Sequence, residues 1–260
     1  MKPHRIAVKN QLITYCTKGD NPHPTNTLLF LHGWRANAHI WAPVIAHLST
    51  DHMTYYLLDL PGFGTSETPK HPFTTHDYAE VVRAVITKLN LKNLTLVGHS
   101  FGGRIALALA AAHPNLLKKL ILINSAGISK NTTKKKLVRT AARIVKPFFK
   151  PSWMQGLRAK IYKKIGSEDY LETPELQATF QNIIDEDLTP LLSKIQHPTH
   201  LIWGEDDTQT PVEDAHTMKR EIPNATLTIL KNTGHFTFLD QPEKVAHEIA
   251  SFLIARSSPL

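Results

Sequence analysis

The sequence predicts a doubly wound α/β domain with a mostly parallel sheet and one inserted helical cap. Three observations predict it. Short, continuous apolar runs recur along the chain, as strands buried on both faces require. Helical patterns separate successive runs, which is how strands joined by crossover helices read. Between residues 128 and 192 the alternation stops, and only amphipathic helical periodicity continues.

Thr27-Leu28-Leu29-Phe30-Leu31 reads as a buried strand, and Thr54-Tyr55-Tyr56-Leu57-Leu58 as the next. Residues 94–97, 120–123, 200–203 and 227–230 continue the series. Helices are expected over 38–48, 74–89, 103–112, 212–221 and 243–252, with Thr74 and Asp77 spaced for a capping box. In the interruption, Leu137, Ala141, Ile144, Val145 and Phe148 share one helical face. Met154, Leu157, Ile161 and Ile165 share a second. An insertion at this point of a doubly wound sheet lies over the carboxyl ends of the strands, where ligands bind, and reads as a lid. The expected division is a core of residues 1–127 and 193–260 and a cap of 128–192.

At 260 residues the chain suits one domain carrying an inserted subdomain. No apolar run approaches the ~20 residues that span a bilayer. Met1-Lys2-Pro3-His4-Arg5 leads into no apolar segment, so no secretory signal is expected. Cys16 is the lone cysteine, which excludes an internal disulfide and disfavours a thiol-based metal cluster. A cytoplasmic location is the simplest expectation. The net charge of +8 is unevenly spread: residues 130–164 hold twelve Lys or Arg and no acid, and residues 168–187 hold seven acids and no base.

Gly98-His99-Ser100-Phe101-Gly102 carries the chemistry. It follows a β-branched apolar run and opens a strongly helix-forming one that stops at His113-Pro114. Strand, sharp turn and helix form the setting in which the serine of a G-x-S-x-G pentapeptide becomes a nucleophile. The flanking glycines permit the tight turn because a Cβ at either place clashes with its neighbours. A serine hydroxyl needs a base to take its proton, and the base needs a group to orient it. Gly204-Glu205-Asp206-Asp207 ends one strand in acids, and Asn232-Thr233-Gly234-His235 follows another with a histidine. The chain order Ser, acid, His suits this fold. The acid is either Asp206 or Asp207 on this evidence. His99, beside Ser100, is expected to point away from the nucleophile. His197 and His200 are separated by Pro198 and lead into a strand, so no metal site is expected.

These residues resemble the α/β-hydrolase superfamily, and the resemblance covers nearly the whole chain. His32-Gly33-Trp34 is similar to its oxyanion-loop motif, and Asp59-Leu60-Pro61-Gly62-Phe63-Gly64-Thr65-Ser66 to its D-x-x-G-x-G-x-S loop. Gly98 to Gly102 matches the nucleophile elbow, Gly204 to Asp207 with Pro211 the acid motif, and Gly234-His235 the histidine loop. The resemblance implies the α/β-hydrolase fold and a triad of Ser100, Asp207 and His235, its spacing selecting Asp207. The alternative acid position of some relatives reads Asn124-Ser125 here and offers no carboxylate. The oxyanion hole is expected from the backbone N–H groups of Trp34 and Phe101, whose rings also wall an acyl pocket. His32 is expected to brace its loop, with Gly33, Gly98 and Gly102 as supporting positions.

A serine nucleophile implies acyl transfer through an acyl-enzyme and excludes the aspartate-nucleophile branch. The H-G-G-G loop of many lipases and the G-G-P-G loop of iminopeptidase-like members are absent. The layout looks most like small carboxylesterases, lactonases and perhydrolase-like members, which makes a carboxylic ester the expected substrate and a lactone the ring-closed variant. Carbon–carbon cleavage of a diketone, acyl transfer to another acceptor, and a ligand-binding receptor of the same fold are the alternatives. No cofactor is implied. The basic segment reads as a solvated face, as a dock for an acidic carrier, or as contact with an anionic membrane surface. Nucleic acid is not expected, since no base-reading motif accompanies the charge.

Overall fold

The computed structural model describes residues 2–19, 26–49, 51, 53–128, 173–184 and 186–255. The chain opens with a hairpin of β1 (Lys2–Val8) and β2 (Gln11–Lys18). Lys9 and Asn10 turn it with φ of 48° and 58°, the positive pair that a two-residue type I′ turn needs. Then follow β3 (Asn26–Leu31), α1 (Ala42–Ala46), β4 (Met53–Leu58), α2 (Thr75–Lys88), β5 (Leu94–His99), α3 (Phe101–Ala112) and β6 (Lys119–Ile123). After the inserted span come α4 (Gln177–Ile184), β7 (Thr199–Gly204), α5 (Val212–Glu221), β8 (Ala225–Leu230), α6 (Thr237–Asp240) and α7 (Pro242–Ile254).

The strands form one sheet in the order β1-β2-β4-β3-β5-β6-β7-β8. The hairpin and its junction with β4 are antiparallel, and all later pairings are parallel. Apolar runs such as Leu28-Leu29-Phe30-Leu31 are buried throughout because helices cover both faces. One face packs on α2, α3 and α5 through residues such as Val82, Leu107 and Met218. The other packs on α1, α6 and α7 through Val44, Phe238 and Ile249.

Strand order reverses between β3 and β5, where the chain first steps outward to β4 and later inward to β6. Leu31 of β3 pairs with Gly98 of β5, so the loops leaving these two strands emerge side by side at the switch point. The loops after β6, β7 and β8 open on the same edge.

One expectation is corrected, and one element had no counterpart among the expectations. The single helix expected over 38–48 is a 3-10 turn, Ala38–Trp41, followed by α1. Pro43 is tolerated only in a first helical turn, so α1 starts there. The hairpin was not foreseen, because its outer strand is half exposed and gives no continuous apolar run. By contrast, Thr74 caps α2 in a reciprocal box with Asp77 as the spacing requires.

The expected cap, residues 128–192, lies along the chain between β6 and β7. Its returning end is α4, followed by a 3-10 stretch, Thr189–Lys194. The basic segment 130–164 and both amphipathic faces in it lie outside the described residues. No helix among the described residues is long and apolar enough to cross a membrane.

Candidate active site

Ser100 stands between β5 and α3 with φ 50° and ψ −112°, a region that side chains other than glycine rarely enter. The turn is held from both sides: the Ser100 N–H donates to Ile123 O at 3.2 Å, and Ser100 O accepts from Arg104 N and Ala126 N, both at 3.1 Å. Close approach explains the glycines. A Cβ on Gly98 comes within 2.6 Å of Gly102 O, and one on Gly102 runs into the carbonyl of Leu31. The Ser100 hydroxyl caps nothing in the helix it precedes.

Asp207 and His235 meet across the ends of β7 and β8. Asp207 Oδ2 lies 2.9 Å from His235 Nδ1, with the carboxylate fully buried and the imidazole nearly so. The same oxygen accepts from Asn124 Nδ2 at 2.6 Å and Thr210 Oγ1 at 2.7 Å. Oδ1 accepts from the backbone N–H groups of Gln209 and Thr210 at 2.8 and 3.0 Å. Burial alone pushes the Asp207 carboxyl up, but hydrogen bonds from His235 and Thr210, together with the charge of His235, outweigh it and hold it down at about 2. Asp206, the alternative acid, is exposed on the same loop. Among the described residues no hydrogen bond joins Ser100 Oγ to the ring; bonds of this kind tighten when substrate binds.

The loop after β3 is organised by two buried side chains. Asp59 accepts from Ala38 N through one oxygen and from Thr65 N through the other. His32 accepts the Leu60 N–H at Nε2, 3.0 Å, which fixes its proton on Nδ1, where it donates to Gly33 O at 2.7 Å. Because the peptide is planar and trans, this bond turns the Trp34 N–H away from His32. The Trp34 ring packs against Phe63, Phe101 and Phe180 at centroid separations of 4.9–5.2 Å. Phe180 belongs to α4, so that helix closes an aromatic wall with Trp34, Phe63 and Phe101, the last of which follows Ser100.

The structure thus gathers Ser100, Asp207, His235, His32, Trp34 and Phe101 along one edge of the sheet. Three residues of the site had no expected role. Asn124 and Thr210 both donate to Asp207. His99 donates from Nε2 to His235 O at 2.9 Å. For Thr210 a local signal existed, since an aspartate accepting backbone N–H groups two and three residues on is a common turn. Among the described residues no group of three His, Cys, Asp or Glu is arranged to hold a metal ion.

Burial holds His32 down at about 4 and His99 at about 3, so both are neutral in the folded protein. In the unfolded chain they titrate near ~6.5. The unfolded state therefore binds more protons below that value. Their stability contribution is intact above pH ~6.5 and is lost as the pH falls toward their folded values. Two protons at about 1.4 kcal/mol per pH unit each amount to roughly 5 kcal/mol between pH 6.5 and 4.5. His197 and His200, also lowered by burial, act in the same sense. Urea midpoints measured across this range should fall steeply, and a flat profile would disprove the burial argument.

A family model described as alpha/beta hydrolase fold matches residues 26–164, and one described as TAP-like protein matches residues 175–259. The chain is 29% identical over 246 residues to the uncharacterized hydrolase YugF of Bacillus subtilis, covering 87% of this chain and 89% of that protein. It is 28% identical over 264 residues to a poly(3-hydroxyalkanoate) depolymerase of Ectopseudomonas oleovorans, covering 95% and 91%. Among solved structures, a membrane phospholipase A described as a bacterial virulence factor superposes with a TM-score of 0.77. It shares 28% identity over 97% of this chain and 85% of that one.

Proposed function

The chain belongs to the α/β-hydrolase fold family, and from that premise we propose that it hydrolyses carboxylic esters through an acyl-enzyme on Ser100. The observation that carries the reading is the buried Asp207–His235 pair at 2.9 Å. It commits Nδ1 to the carboxylate and leaves Nε2 as the basic nitrogen of the ring.

In this mechanism His235 Nε2 takes the Ser100 proton as Oγ attacks the ester carbonyl carbon. Asp207, held ionised, stabilises the imidazolium that results. The N–H of Phe101, at a helix start with no partner inside the helix, and the N–H of Trp34 receive the oxyanion. One such donor typically contributes ~10²–10³ in rate. The imidazolium then protonates the leaving alcohol, and a water repeats the sequence to release the acid. The wall of Trp34, Phe63, Phe101 and Phe180 favours an apolar acyl group. Relatives named as a depolymerase of a hydroxyalkanoate polymer and a phospholipase A also favour an ester substrate.

The test is turnover of a p-nitrophenyl ester series of increasing acyl length, with Ser100→Ala as the blank and a lactone panel beside it. Turnover by the native protein that disappears in the variant is expected. Folded native protein inert on every ester, or equal turnover by the variant, would reject the reading.

A further inference from the structure

We propose that His99 is a positioning residue that sets the place of His235 relative to Ser100, an inference that rests on the function proposed above. His99 is the last residue of β5, one position before the nucleophile, and its side chain takes the opposite side of the strand. There its Nε2 meets the backbone carbonyl of His235 at 2.9 Å, although 136 residues separate the two in sequence. The ring is 1% exposed and is packed by the histidine loop with the start of α6 and by Trp41 of the 3-10 turn after β3. Its centroid lies 4.8 Å from those of both His235 and Phe238, 5.3 Å from Phe236 and 6.4 Å from Trp41.

The other edge of the same ring abuts the loop after β3. A Cβ on Gly33 comes within 2.8 Å of His99 Nδ1, and that nitrogen has no hydrogen-bond partner. One rigid ring therefore spaces two loops, that of Gly33-Trp34 and that of His235, while the backbone of the same residue leads into Ser100. Burial keeps the imidazole neutral, so it holds a single proton. The acceptor at 2.9 Å fixes that proton on Nε2 and leaves Nδ1 bare.

An orphaned buried nitrogen is unfavourable, and packing alone is served better by a phenyl ring of similar outline. What a phenyl ring cannot supply is the donor to His235 O. That donor fixes the backbone of the residue whose side chain must reach Ser100 Oγ, and misplacement of a catalytic group by about 1 Å costs on the order of 10²-fold in rate.

The test compares His99→Phe and His99→Gln with the native protein on a p-nitrophenyl ester. Thermal stability and the rate at which a fluorophosphonate labels Ser100 are measured alongside. A glutamine amide places its nitrogen near that of Nε2 and can donate to the same carbonyl. His99→Phe should keep its melting temperature while kcat and the labelling rate fall about 10- to 100-fold, with KM little changed. His99→Gln should recover most of the loss. A phenylalanine variant that turns over and labels at the native rate overturns the inference, as does a glutamine variant no better than it. If His99→Phe does not fold, His99→Asn, whose amide is too short, replaces it, and equal kcat in the Gln and Asn variants overturns the role. Native protein that the fluorophosphonate leaves unlabelled at Ser100 refutes the serine-hydrolase reading itself, and the positioning role falls with it.

Discussion

Ser100→Ala should abolish ester hydrolysis, lowering kcat by about 10⁴ to 10⁶, while the protein keeps its melting temperature. The two halves of that expectation come from different features of one residue. In the proposed mechanism the hydroxyl is the nucleophile, so its loss removes the covalent path and leaves only binding and oxyanion stabilisation. It caps no helix, so its loss costs the fold little. The backbone dihedrals, φ 50° and ψ −112°, are a separate matter, because alanine suffers in them as serine does. Such conformations cost on the order of 1–3 kcal/mol. Glycine enters them freely. Ser100→Gly should therefore be as inactive as Ser100→Ala yet more stable by about 1 kcal/mol, read as a higher urea midpoint. Hydrolysis by the alanine variant within about tenfold of the native rate would place the nucleophile elsewhere. A glycine variant no more stable than the alanine one would show that the elbow stores no strain.

What was legible in the sequence follows the physics of the sheet. Strands covered on both faces must be apolar throughout, and β3 to β7 announce themselves by that rule. The β1–β2 hairpin escapes it. Its outer strand is half solvated, and its turn is Lys9-Asn10 rather than a glycine-bearing pair, so neither periodicity nor turn chemistry marks it. The same division runs through the site. Ser100 stands in a short motif whose Gly98 is forced by the local approach of Gly102, and local forces leave local signatures, whereas Gly234 beside His235 has open space around it. His99 and Asn124 act on partners 136 and 83 positions away, through bonds that exist only once β5, β6, β7 and β8 lie side by side. From the sequence, His99 carried only the expectation that it faces away from the nucleophile, and Asn124 marked only the absence of a second carboxylate. Both contribute through what they face in the folded sheet, which no spacing along the chain encodes.

Asp207→Asn is expected to cost about 10⁴-fold in kcat. Two backbone donors, Gln209 N and Thr210 N, aim at Oδ1 and require an oxygen there, so the new amide nitrogen must take the place of Oδ2. At that position it faces His235 Nδ1 as a donor instead of an acceptor. The imidazole must then present a bare Nδ1 and carry its proton on Nε2, the nitrogen that has to accept from Ser100. Substrate binding does not depend on that proton, so KM should move little while kcat collapses. The fold should bear the change at about 1–3 kcal/mol. The Thr210 hydroxyl can rotate to accept, and Asn124 can turn its buried, unpartnered Oδ1 toward the new amide. Asp206→Asn serves as the comparison, because that side chain is exposed on the same loop. Near-native kcat in Asp206→Asn together with collapse in Asp207→Asn is the expected pair of results, and the reverse pattern would move the acid one residue back along the loop.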